Sequence, residues 1–157
     1  MTNGRPAARS ALGVGAAVAG ALLLAAPSAL AVEPQTATTA FDCGSWGAGA
    51  ATLEATQDGT AATITITTDA ITSPTDIPAD SATTTLTLTK NGSETVEFTG
   101  SSNPAIPAEA PADTGPLTGT VASGDSLEAA SLTVTVFGMT ATCEATAAQD
   151  PGPFVFD

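Results

Sequence analysis

The chain is 157 residues long and carries sixteen carboxylates against three basic residues, a net charge of −13 at neutral pH. A chain this acidic is repelled by phosphate backbones and by anionic lipid, which sets it against nucleic-acid and membrane-surface binding. It has no histidine and no tyrosine, so serine or cysteine nucleophiles activated by imidazole are excluded.

Residues Met1–Ala31 read as a Sec-type signal peptide. Arg5 and Arg9 form a positive n-region, Ala11–Ala26 is an apolar run, and Ala29-Leu30-Ala31 supplies small residues for cleavage after Ala31. The run is short and wrongly flanked for a membrane span, no cysteine follows it for a lipid anchor, and the arginines are not paired. The expected mature chain, 32–157, keeps all sixteen acids but of the basic residues only Lys90, a charge of −15. It is expected to be a secreted single domain that inserts in no membrane.

Leu, Ile, Val and Phe make up only 22 of those 126 residues, a value that together with high charge flags disorder. Against that stand 27 threonines, β-branched and suited to a half-buried pleated surface. The large apolar residues also fall in alternating registers. A folded domain with a thin core is the expectation.

In chain order, 32–36 is expected to be flexible. Thr39, Phe41 and Cys43 then share one face of a first strand, and Gly44, Gly47 and Gly49 mark a loop holding Trp46, the sole tryptophan. Leu53–Thr56 starts a second strand, Asp58-Gly59 turns it, and Ala61–Asp69 returns with Ile64 and Ile66 inward. Pro74 and Pro78 make Ile71–Asp80 a loop. Thr83–Lys90 alternates through Leu86 and Leu88, and Asn91-Gly92 is a strong hairpin signal ahead of Val96 and Phe98. The hairpin places Lys90 at an exposed turn.

Gly100–Pro116 has four prolines and no period, hence a crossover between sheets or a functional loop. Leu117, Gly119 and Val121 begin another strand, Ser123-Gly124-Asp125 turns it, and Leu127–Phe137 runs back. Leu132–Cys143 reads as one core strand broken at Gly138. The tail places Phe154 and Phe156 on the core or in a last strand. The two cysteines, Cys43 and Cys143, are expected to form one disulfide. It closes a loop for which chain entropy gives about 4–5 kcal/mol. Together these features predict an all-β fold, an Ig-like antiparallel β-sandwich of about seven to eight short strands.

Several stretches resemble a family of small secreted actinobacterial proteins of Streptomyces type, known as uncharacterised β-sandwich domains. They are Cys43 soon after the leader, NPAIPAEAP at Asn103–Pro111, LTGT at Leu117–Thr120, Gly138 ahead of Cys143, and DPGPFVFD at Asp150–Asp157. Gly44-Ser45-Trp46-Gly47 departs from the proline-containing segment expected after the first cysteine. The resemblance implies the fold and the compartment, and brings no activity, cofactor or catalytic residue.

Paired carboxylates could in principle hydrolyse a glycoside, but the sugar-stacking aromatics are nearly missing and no acid–base set is positioned, so no catalytic residue is assigned and no enzyme is expected. Asp69, Asp76 and Asp80 around the proline loop are the best calcium candidates, but no Asp-x-Asp-x-Asp-Gly pattern supports them, and neither metal nor cofactor is assigned. The candidate binding residues are Trp46, read first as core beside the disulfide, and Asn103, Pro104, Ile106 and Pro107 of the proline-stiffened loop. The expected function is non-catalytic: a monomeric binding or cell-envelope module for an unidentified protein or a cell-wall glycan. The alternatives are a calcium-dependent adhesive or glycan-binding module and an extracellular protease inhibitor acting through Asn103–Pro111.

Overall fold

The structure, a computed structural model, describes residues 32–157; the signal-peptide reading of 1–31 lies outside them. Ten strands follow in chain order: β1 (Val32–Glu33), β2 (Thr36–Asp42), β3 (Ala48–Asp58), β4 (Ala61–Thr68), β5 (Ala82–Lys90), β6 (Glu94–Gly100), β7 (Ala112–Thr120), β8 (Ser126–Val136), β9 (Met139–Ala145) and β10 (Phe154–Phe156). The only helical element among the described residues is a single 3-10 turn at Gly44–Trp46, so none of their helices is long and apolar enough to cross a membrane.

Every ladder is antiparallel, and the order β8-β5-β6-β7-β4-β3-β2-β9 returns to β8 through a β8–β9 pairing. Eight strands therefore close a barrel, where two open sheets of a sandwich were expected. The all-β antiparallel reading and the Cys43–Cys143 disulfide hold. Closure removes the exposed edges that an open sheet presents. Short β1 and β10 hang from the start of β8, with Phe154 opposite Leu127 and Val32 opposite Phe156.

Two seams of the barrel are thin. Strands β6 and β7 pair only at Thr99 and Thr118. Gly119 lies beside that pair because a Cβ there would sit 2.5 Å from the Phe98 ring, so the ring covers bare backbone and fills the seam. Strands β2 and β9 pair at Phe41–Ala145 and Asp42–Glu144. The same register puts Cys43 opposite Cys143, whose Cα atoms are 3.9 Å apart. The disulfide is thus the next rung of the ladder that joins the first barrel strand to the last.

The alternation read in the sequence sets the core. Leu53, Ile64, Ile66, Leu86, Leu88 and Leu117 are fully buried, as are four of the five phenylalanines. Each such side chain contributes about 1.5–3 kcal/mol by leaving water, so a thin composition still yields a continuous core.

Four expectations are corrected. Val32 is 1% exposed and strand-paired, so the segment 32–36 does not begin as a free tail. Leu132–Cys143 is not one strand but a hairpin: Phe137 and Gly138 take positive φ at its turn, and Leu132 pairs with Cys143. Strand β7 starts at Ala112, five residues before Leu117. Pro116 and a bulge hid it: Thr114 and Gly115 stand opposite Ile66 alone, and the Ile66 N–H is accepted by the Thr114 hydroxyl at 3.0 Å. Gly115 is required there, with φ +63° and the Ser102 carbonyl in the space of a Cβ. Finally, Lys90 is half-buried, and its Nζ lies 3.0 Å from Asp125 Oδ2.

Candidate functional site: an apolar pocket at one barrel mouth

The two ends of the barrel are built differently. One end gathers the tight turns at 59–60, 91–93 and 122–125 with the tail strands β1 and β10. Phe154 and Phe156 close it, fully buried, and Gln57 clasps the last residue by donating from Nε2 to the Asp157 carbonyl and accepting the Asp157 N–H. Asp125 is buried here. Burial alone raises its carboxyl, but the Ala122 N–H, then the Lys90 ammonium and the Asn91 side chain, outweigh burial and hold it below its ordinary value.

The other end gathers the long segments 43–47, 69–81 and 101–111 and the β8–β9 turn. They surround a cavity of about 280 Å³. Its wall combines the ends of β5, β8 and β9 (Ala82, Leu132, Val134, Val136, Ala141) with Ile71, Ile77 and Ile106 from the loops and Trp46 from the 3-10 turn. Barrel mouths of this kind commonly hold small molecules, because eight strands leave an interior only slightly wider than their own side chains.

Each loop is fixed by bonds that its sequence supplies. The Trp46 turn is tied down by the Cys43 N–H donating to the Gly47 carbonyl at 2.7 Å and by Asp42 Oδ1 accepting the Gly44 N–H at 2.8 Å. Ile77 and Ile106 exchange backbone hydrogen bonds of 2.8 and 2.9 Å, so two loops form a two-stranded flap over one wall. Asn103 is buried and braces them. Its Oδ1 accepts the Ser81 and Ala82 N–H groups at 3.0 and 2.8 Å, and its Nδ2 donates to the Pro78 and Pro104 carbonyls at 3.0 and 2.8 Å.

Of the five residues singled out for binding, the structure brings Trp46 and Ile106 onto one cavity wall. Asn103 is a brace between loops, and Pro104 and Pro107 are exposed and off the wall. Comparison with protein-family models, with curated proteins and with solved structures finds no match.

The disulfide places Cys43 and the Trp46 turn beside β9, and Trp46 packs against the core while lining the cavity. The calcium candidates do not assemble. Among the described residues no three His, Cys, Asp or Glu side chains form a group that could hold a metal ion, and Asp76 Oδ1 is engaged in accepting the Ala108 N–H at 2.8 Å.

Sequence reasoning missed the strand side of the pocket. Val134 and Val136 read as core, yet they are half-buried, and Phe137 and Met139 beyond them are 57% and 49% exposed. The available signal was Phe137, a large apolar side chain beside the Gly138 turn where a polar residue would be expected, while Val134 and Val136 themselves carried none.

Proposed function

We propose that this chain is a secreted, non-catalytic binding protein that works through the apolar pocket at the loop end of its barrel. One observation carries the reading: Trp46 and Ile106, drawn from loops sixty residues apart in sequence, meet on a single cavity wall. The binding reading has support in the side chains available, since the chain has no histidine and its pocket wall carries a single charged residue, Asp113. Export is supported by the leader-like composition of 1–31 and by the disulfide, which fits an oxidising compartment. The resemblance to small secreted actinobacterial proteins points the same way. The finer fold reading is of a flattened, sandwich-like barrel, for which the single-rung β6–β7 seam and the two-rung β2–β9 seam are the support.

The alternatives fare less well. A protease-inhibitory loop has to offer its central side chains outward, whereas Ile106 is buried and bonded to Ile77. A glycan platform needs outward aromatic faces and free hydrogen-bonding groups, and Trp46 lines an apolar wall instead.

Native mass spectrometry of the protein taken from the medium of its producer tests the proposal. A non-covalent mass is expected on the wild type and is expected to be lost from Ala141→Phe, which fills the cavity. Bare protein in both cases overturns it.

A further inference from the structure

Resting on that reading of the pocket, we infer that its ligand is an uncharged, hydrocarbon-like molecule of medium length, lodged end-on in the barrel mouth. Three observations lead there.

The first is that four of the polar side chains on the wall are already engaged with the protein's own backbone. The Thr68 hydroxyl donates to the Ala50 carbonyl at 2.9 Å and accepts the Ala70 N–H at 3.0 Å. The Thr114 hydroxyl donates to the Gly115 carbonyl at 2.8 Å and accepts the Ile66 N–H. The Ser73 hydroxyl is turned to Thr75, and Asp113 Oδ1 accepts the Gly115 N–H at 2.8 Å. A peptide or sugar group pushed inside loses water and finds few partners, which costs about ten- to a hundredfold in affinity for each unmatched group.

The second is charge. A domain at −15 over the described residues, with a carboxylate on the pocket wall and its one lysine held by Asp125 at the opposite end, repels an anionic head group. A fatty-acid carboxylate is therefore disfavoured against its neutral counterpart, and a cationic head, which the same field attracts, has to shed its water against a wall whose single carboxylate already accepts the Gly115 N–H.

The third is size and rim. A cavity of about 280 Å³ holds about nine water-sized groups at roughly 30 Å³ each, which matches an eight-carbon chain with one terminal atom. Among the described residues three large apolar side chains are well exposed, and two of them, Phe137 and Met139, line this same pocket. They extend the apolar surface outward over the part of a ligand that projects from the mouth.

Trp46 is the only tryptophan and the chain has no tyrosine, so intrinsic emission reports on this wall alone. The test titrates the full domain with 1-octanol, octanoate, octyltrimethylammonium and chitotetraose and follows Trp46 emission. Saturable binding of octanol is expected, with octanoate at least tenfold weaker and no response to chitotetraose. Ala141→Phe is expected to weaken octanol at least tenfold. Val134→Thr/Val136→Thr, which keeps side-chain shape at two half-buried positions, is expected to weaken it about three- to tenfold while the fold is retained.

Absence of saturable octanol binding, or tighter binding of octanoate, octyltrimethylammonium or chitotetraose, overturns the ligand class. If octanol fails while native mass spectrometry still finds a bound mass lost in Ala141→Phe, the pocket reading stands and the ligand class alone falls. If both fail, the pocket reading falls with it.

Discussion

The two ends of this barrel use the same strands for opposite purposes. At the tail end, β5 finishes at Lys90 and β8 begins at Ser126, and two fully buried phenylalanines, an ion pair and the clasp of Gln57 on Asp157 stop the barrel, leaving an open groove on its flank between Thr89, Gly92, Glu128 and Thr146. At the loop end, β5 begins at Ala82 and β8 finishes at Val136, and the same two strands wall a cavity. The difference lies in the connections. Short turns of the Asp-Gly and Asn-Gly kind pull strands tightly together, and a returning tail can then plug the space. Long proline-stiffened loops stand off from the barrel and need bracing from their own groups, which Asn103 and the Ile77–Ile106 pair supply. A barrel with one stopped end and one open end is a cup.

The contrast is broken most severely at the closing rung. Replacing Cys43 and Cys143 together by alanine is expected to lower unfolding free energy by about 4–5 kcal/mol in equilibrium urea denaturation, because the β2–β9 seam keeps only two ladder pairs. A loss under about 1 kcal/mol would show that those pairs close the barrel without it.

Next comes the plug. Phe156→Ala is expected to cost about 3–5 kcal/mol, as a fully buried aromatic replaced by a cavity, while leaving octanol binding at the far end unchanged. Impaired octanol binding in a folded Phe156→Ala variant would mean that the ends are not independent.

Asn103→Ala is expected to cost about 2 kcal/mol, since it strips the acceptor from two backbone N–H groups. Unlike Phe156→Ala, it should also loosen the pocket, and Trp46 emission should shift toward that of solvent-exposed indole. Unaltered emission would remove Asn103 from the support of the site.

The smallest effect concerns pH. The folded-state value of Asp125 lies below its ordinary 3.8, so its stabilising contribution is complete above the unfolded value and is lost as pH falls through the lower, folded value. The stability gap between wild type and Asp125→Asn is therefore expected to be about 1 kcal/mol or less at neutral pH and to shrink below pH 3.8. A gap that is constant across that range would contradict the assignment.

Most of the barrel was legible because period-two alternation reports directly on which face is buried. Ile64, Ile66, Leu86 and Leu88 all point inward as read. What alternation cannot report is where ladders join, so a barrel closed through one rung at Thr99–Thr118 looks like two sheets. The early start of β7 was hidden because Pro116 and Gly115 belong to turns in most contexts, and only the bulge opposite Ile66 makes them strand residues. The site was legible in part. Trp46 and Ile106 were visible because they interrupt glycine- and proline-rich loops with large apolar groups. Asn103 drew attention only as a member of the proline-stiffened loop, and its amide serves the loops. Val134, Val136 and Met139 carried no mark that separates a pocket wall from a core, since the two differ only in whether a strand's end is plugged.

The most direct test of the cup is backbone and indole chemical-shift mapping of the folded domain during a 1-octanol titration. Shifts confined to Trp46, Ile77, Ile106, Leu132, Val134 and Met139, with Phe154, Phe156 and Asp125 silent, are the predicted result. Shifts spread over the tail end, or none at saturating octanol, would contradict it.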